Sequence, residues 1–410
     1  MIADRTWNTR CVILDHGVSA KYVGALTRGR TGLVVDNALP EHRDRLLAGG
    51  LKGVPVLGLD AMPVTRETLR TVGHFLHENG LQTVVGLGGG SVLDAVKLAA
   101  VFTADPTLAD LAEVHAKRSG LLVLPAIRNN EERPKTVLLP STVGTGAEVS
   151  GVACLDTAVG RRLIASPHLS GDVAVLDGGH LATLPRHLVL EGLLEAFLRV
   201  AGTLTGSSAN RFDDDAYSLM QRIIRLGLRL AHVDAPEMRL AAARLSMETH
   251  TGWSLTGRNP YGAKHWYVAN ELAYVTGVRK MTATATVIGP IWEEIVNGTA
   301  AWGDRGRLDE LWAAVREVEP TLASNPASGI NELRRHWGIA KLPTLREETL
   351  MQTSDAAIQS WGGVLPMLRG IDVAQIQHVL RVGTAEGGSR TELAMPEGQP
   401  TSGRGEGVST

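Results

Sequence analysis

"VVGLGGGSVLDAVK", residues 84 to 97, reads as a buried strand that runs into Gly88, Gly89 and Gly90 and gives way to a helix near Ser91. Glycines let a backbone approach a pyrophosphate closely, and the free amides and dipole of a helix N-terminus favour its negative charge. Taken alone, the triplet fits a tight turn with a serine cap equally well. A second stretch narrows the choice. "LPSTVGTGAEVS", Leu139 to Ser150, also follows a strand and pairs glycines with hydroxyls suited to phosphate and ribose oxygens.

Working outward, "GLVVD", "VPVLGLD", "TVVGLGGG", "TVLLPST" and "DVAVLD" recur between about Thr31 and Asp177, with helical patterns between them. That rhythm predicts a parallel sheet with helices on both faces. Asp36 closes "GLVVD"; a carboxylate there accepts hydrogen bonds from an adenosine ribose and repels a 2′-phosphate, which favours NAD over NADP. Capping a turn is the commoner use of such an Asp. After Pro185 the spacing becomes helical, with long amphipathic segments at 211–231 and 236–257 and no convincing strand. The expected organisation is an α/β Rossmann-like domain over 1–184, an all-helical domain over 185–385 and a tail over 386–410. The tail is rich in Gly, Ser, Glu and Pro, a composition expected to stay disordered.

The composition excludes several classes. With 41 basic and 43 acidic residues in 410, the net charge of −2 gives no reason to expect nucleic acid as a partner. No window offers the roughly 20 apolar residues of a membrane span, and Asp and Arg stand where a signal peptide would be apolar. Cys11 and Cys154 match neither a disulfide framework nor a metal knuckle, and both read as buried small hydrophobes of a cytoplasmic protein. Trp302, Trp312, Trp337 and Trp361 read as core or interface anchors.

"GGGSVLDAVK" and "PSTVGTGAEVS" resemble two signatures of the iron-containing alcohol dehydrogenases, and "GRRLIASPHLSGDVAVLDGGHLATLP" keeps that family's order of elements. The resemblance covers roughly residues 30 to 300. It implies the dehydroquinate synthase-like fold, with hydride transfer between an NAD-binding domain and a helical catalytic domain, in dimers or larger homo-oligomers. By match to the motifs, Gly88, Gly89, Gly90, Ser91 and Asp94 would hold the pyrophosphate. Ser141, Thr142, Thr145 and Ser150 would line the rest of the cofactor.

The family's metal ligands are an Asp and three His, and here the chain departs from the pattern. The match puts Glu195 at the Asp position, Arg199 at the first His, His265 of "NPYGAKH" at the second and Lys280 of "KMTATATVIGP" at the last, with an offset of one residue that would substitute Met281. Glu195 and His265 remain as ligand candidates, fewer than a catalytic zinc or iron site needs. His250 reads as a packed or capping histidine on the same helical run, about four turns before His265. Glu195 and Arg199 also have the spacing of an ordinary helix ion pair. The reading that follows is that Arg199 and Lys280 supply the positive charge a metal would, with Lys280 or His265 as the base.

Two cations suit an anionic substrate. "LEGLLEAFLRVAG" is similar to the divergent, daptide-type dehydrogenases of ribosomal-peptide biosynthesis, which implies oxidation and decarboxylation of a C-terminal threonine on a precursor peptide, with a biosynthetic partner protein. Three alternatives stand beside this reading: an ordinary metal-dependent alcohol dehydrogenase, a lyase of the dehydroquinate-synthase kind, and a non-catalytic NAD-binding subunit.

Overall fold

The computed structural model describes residues 9–60, 63–125, 127 and 132–385; the tail expected over 386–410 lies outside them. Six parallel strands form the main sheet: β1 (Cys11–Asp15), β2 (Thr31–Asp36), β3 (Val56–Leu59), β4 (Thr83–Gly88), β6 (Lys135–Pro140) and β9 (Val173–Asp177), ordered β1-β9-β6-β4-β2-β3. Successive residues serve opposite apolar layers. Leu33, Val35, Val85, Leu87, Val137 and Leu139 pack with α1 (Val18–Leu26) and α2 (Pro40–Ala48). Val34, Val84 and Leu138 pack with α3 (Arg66–Glu78), α4 (Gly90–Ala104) and α5 (Thr107–Ala116). Cover on both faces is why these strands read as unbroken apolar runs.

The chain steps outward from β2 to β3, then returns to place β4 on the other side of β2. The crevice past Asp36 and Gly88 is therefore the topological switch point, where open α/β sheets bind their ligands.

A second, three-stranded sheet, ordered β5-β8-β7, was not legible as such: β5 (Leu121–Val123) with the antiparallel hairpin of β7 (Val152–Thr157) and β8 (Gly160–Ala165). An inward Arg162 interrupts its apolar alternation. That guanidinium is buried, and it donates to the carbonyls of Ala116 at 2.8 Å and Val159 at 2.9 Å.

After β9 the described residues form helices only: α6 (Arg186–Thr205), α7 (Asp213–His232), α8 (Pro236–Thr251), α9 (His265–Thr276), α10 (Lys280–Val296), α11 (Arg305–Val318), α12 (Pro326–His336), α13 (Glu347–Trp361) and α14 (Val373–Ala385). The expected helix over 236–257 stops early, because Gly252 leaves helical geometry at ψ −177° and a short 3-10 turn follows. His250 and His265 therefore lie on separate helices. The four tryptophans are at most 2% exposed and anchor the helical core. Cys154 is only partly covered, a correction to its expected burial, while the side chain of Cys11 lies outside the described set. Helix α6 is buried almost all round and shares one apolar cluster with Ala174 and Leu176 of β9 and with Val143 and Val149 of the second glycine loop. The helices thus pack directly onto the C-terminal edge of the sheet.

Candidate functional site

Helix α4 begins at Gly90 with no side-chain cap on its first amides. A Cβ on Gly89 would stand 3.2 Å from Thr142 Cγ2, and one on Gly90 would stand 3.1 Å from Thr145 Cγ2. The two glycine loops therefore face each other, joined where the Ser141 N–H donates to the Gly88 carbonyl at 2.9 Å. Ser91 is exposed and Thr142 and Thr145 are partly so, while Ser141 is buried beneath them. Bare amides, small residues and convergent hydroxyls are features that suit a phosphate group.

Other expected contacts have a different task. Asp94 accepts from the Cys154 N–H at 2.9 Å and pairs with Lys97 at 2.9 Å. The Lys97 ammonium, 1% exposed, donates to the carbonyls of Ala147, Ser150 and Val152, and Ser150 Oγ accepts from the Val152 N–H. Asp94 and Ser150 thus hold the far end of the second loop in place instead of lining its open side. Asp36 Oδ1 accepts from the Ala38 N–H at 2.9 Å, the turn-capping geometry, at the switch point.

Glu195, Arg199 and Gly202 recur at i, i+4 and i+7 on α6 and so share one face. A Cβ on Gly202 would meet His265 Cε1 at 2.7 Å, which places His265 of α9 one turn beyond Arg199. Glu195 and Arg199 do pair, at 3.6 Å. Arg199 is not the open cation expected, however: it donates to Thr249 Oγ1 at 2.8 Å and to the carbonyls of Gly144 at 2.7 Å and Thr145 at 3.4 Å. Burial lowers its pKa, opposed by Glu195 and Glu148. Its charge is committed to the second loop.

His265 is 3% exposed, and its Nε2 has no hydrogen-bond partner among the described residues. Burial, reinforced by the charge of Lys280, pushes its pKa down to about 3. A neutral imidazole so reluctant to take a proton is a poor general base, which corrects the role expected for it. Lys280 opens α10, with Nζ 4.4 Å from the centroid of the Trp266 ring and no ion pair among the described residues. Met281 packs into the helical core, so the ammonium, not the thioether, is what α10 offers at this position. Cys154 feels the same charge, but burial and Asp94 hold its thiol up at about 11, protonated near neutrality.

The profile of the family described as iron-containing alcohol dehydrogenase matches residues 21–178. The fold of the NADH-dependent butanol dehydrogenase A of Thermotoga maritima superposes with a TM-score of 0.76 at 15% identity, over 94% of this chain and 99% of that one. Residues 21–178 thus resemble the iron-containing alcohol dehydrogenases, and the chain shares the fold of that butanol dehydrogenase. The chain is 28% identical over 174 residues to long-chain-alcohol dehydrogenase 1 of Geobacillus thermodenitrificans, 42% of this chain and 41% of that one. It is 27% identical over 170 residues to the sulfoacetaldehyde reductase of Bilophila wadsworthia, 41% of this chain and 40% of that one. The match thus spans about two fifths of each relative's length.

The metal in the family's name does not fit the residues present here. Among the described residues no group of three or more His, Cys, Asp or Glu could hold a metal ion. The Arg199 guanidinium, bonded to two carbonyls and a hydroxyl, has no lone pair to offer a metal. Among the same residues no helix is long and apolar enough to cross a membrane.

The site depends on one close approach. A Cβ on Gly192 of α6 would stand 2.4 Å from the Val143 carbonyl oxygen, so only glycine lets this helix touch the second loop. Gly192→Ala is expected to lower stability by about 1 to 2 kcal/mol through overpacking. It should also speed amide exchange over 143–147; an unchanged Tm would show that loop and helix separate freely.

Proposed function

We propose that this chain is an NAD-dependent oxidoreductase that interconverts a hydroxyl and a carbonyl in the cleft between residues 1–184 and 185–385, with Lys280 supplying the positive charge near the reacting oxygen. NAD, when bound, supplies the hydride acceptor. Gly88 to Gly90 and Ser91 would receive its pyrophosphate on the open N-terminus of α4, with Thr142 and Thr145 across from them; Ser141 and Asp36 would bound the site. The observation that carries the reading is the Lys280 ammonium, over the Trp266 ring and with no ion pair among the described residues, beside the buried His265. The Lys280 amine takes the hydroxyl proton, the ammonium so formed steadies the alkoxide as hydride leaves, and in the reverse direction the same ammonium returns the proton to the carbonyl oxygen. Trp266 holds the amine by cation–π attraction without neutralising it. Glu195 restrains Arg199, and His265 keeps the floor of the cleft uncharged.

An unpaired cation favours an anionic substrate, and one relative is named for an aldehyde that carries a sulfonate. We further propose a β-hydroxy acid, specifically the C-terminal threonine of a precursor peptide. Oxidation of its β-hydroxyl yields a β-keto acid, which releases CO₂ unaided.

The test is NADH formation at 340 nm by the metal-analysed protein, with a peptide ending in Thr and a control ending in Val. NAD binding, substoichiometric metal and NADH with the first peptide alone are the expected results. One tightly held iron or zinc per chain would overturn the cationic site and restore a metal-dependent dehydrogenase. NAD binding with no turnover of peptides, simple alcohols or hydroxy acids would assign a binding role instead.

A further inference from the structure

The backbone of Gly144 and Thr145 is gripped by side chains from two helices of the helical domain. The Gly144 N–H donates to Ser246 Oγ at 3.1 Å, while the Gly144 carbonyl accepts from Arg199 at 2.7 Å. The Thr145 carbonyl accepts from Arg199 at 3.4 Å and from His250 Nε2 at 3.1 Å. A carbonyl only accepts, so His250 carries its proton on Nε2 in this contact. Thr249 braces Arg199, accepting at 2.8 Å and donating its own hydroxyl to the Ser246 carbonyl at 2.6 Å. Ser246, Thr249 and His250 stand at i, i+3 and i+4 on α8 and so present one face.

The loop needs such a grip. Gly144 at φ 111° and Gly146 at φ 58° occupy the left-handed region on either side of Thr145, so the loop backbone has little preference of its own. On its opposite side Thr145 Cγ2 lies against the Gly90 end of α4. The shape of the loop is therefore set between two bodies, the phosphate loop below and the α6–α8 pair above.

We propose that Arg199 and the Ser246–Thr249–His250 face of α8 form an interdomain latch that fixes the Gly144–Thr145 backbone in its cofactor-binding shape. Arg199 and His250 act as positioning residues: neither touches the ligand, and each acts through a loop carbonyl. Because the latch joins two domains through the loop, cofactor binding and closure of the helical domain become one linked equilibrium. The proposal rests on the reading of this loop as part of the NAD site.

The experiment is a calorimetric NAD titration of the full chain and of His250→Leu, His250→Gln, Ser246→Ala and Arg199→Lys, with amide exchange followed over 142–147. Loss of one such hydrogen bond is expected to weaken NAD binding about 10-fold in His250→Leu. His250→Gln keeps an N–H and should stay within about 3-fold of the parent, whereas Arg199→Lys, which gives up the forked geometry, should lose about 30-fold. Exchange over 142–147 should rise in step with Kd while α13 and α14 stay protected. Folded His250→Leu and Ser246→Ala proteins that bind NAD like the parent would overturn the latch alone. Equal losses in His250→Gln and His250→Leu would also overturn it, since packing and not the N–H would then matter. A parent protein that binds no NAD would overturn the cofactor reading, and the latch with it.

Discussion

Lys280→Met is expected to reduce turnover by about 100- to 1000-fold while leaving NAD binding intact, the loss typical of removing one charge-stabilising donor from a reacting oxygen. Methionine keeps the length of the side chain and its packing on Trp266, so what is lost is the charge. Lys280→Arg should retain part of the rate, because the charge survives in a wider head group. The readouts are kcat from NADH absorbance and Kd from calorimetry. Unchanged turnover in Lys280→Met would exclude this role, and a parallel loss of NAD affinity would place the lysine at the cofactor instead. Burial and the Lys280 charge push the His265 pKa down to about 3, which makes it the weaker candidate for the base.

The second large effect is acid destabilisation from a buried pair of imidazoles at the C-terminal edge of the sheet. Ser19 donates its hydroxyl to Asp177 at 2.6 Å and lies 3.0 Å from His180 Nε2, so Ser19 Oγ accepts the His180 proton. The His180 and His42 rings meet edge to face at 5.3 Å. Burial, together with His42 and Arg45, pulls the His180 pKa from 6.5 down to about 4, although Asp177 opposes the shift. Burial and Arg45 lower His42 as well, against Glu41 and Asp177. Between pH 6.5 and 4 the unfolded chain binds a proton at His180 that the folded chain refuses, so stability is full above 6.5 and falls as the pH drops through that window. From pH 7 to 4.5 the loss from His180 alone is about 2.5 kcal/mol, and His42 adds to it in the same sense. His180→Leu should flatten this part of the stability curve in urea titrations at pH 7, 5.5 and 4.5. An equal pH slope in parent and variant would assign the acid lability elsewhere. Asp177 works in the same direction at lower pH: burial alone would raise its pKa, but hydrogen bonds from Ser19, Gly179 and Gly17 outweigh it and hold the carboxylate below its usual range.

The parts of the fold legible in the sequence are those fixed by local chemistry. Strands β2, β4, β6 and β9 are covered on both faces and announce themselves as apolar runs, and the glycine triplet marks where α4 begins. Edge strand β1, CVILD, is as apolar as β9 but stands ahead of the recurring run that begins at Thr31, and Arg162 hides the hairpin by pointing a charge inward. At the site, residue types singled out Glu195, Arg199 and His265, which the fold does bring close together, but not the bonds they make. Glu195 and Arg199 look like a helix pair because they are one, yet the stronger bonds of Arg199 go to Gly144 and Thr145, more than fifty residues away. Ser246 carried no signal and His250 read as a packed or capping histidine, since a hydrogen bond to a distant backbone leaves no spacing to read. The separation of Asp94 and Ser150 from the open side of the loops was hidden for the same reason.

Among the described residues strand β1 pairs only with β9, residue for residue from Cys11↔Val173 to Asp15↔Asp177. During synthesis the first strand emerges early and must wait for a partner that leaves the ribosome roughly 10 to 30 s later, at about 5 to 20 residues per second. Through that interval β9's neighbour β6 already has β4 to join, but β1 has nothing native to pair with. The sheet is therefore completed from its oldest segment last, and β9, which leads through a 3-10 turn into α6, is the point at which the sheet and the helical half become one cooperative structure.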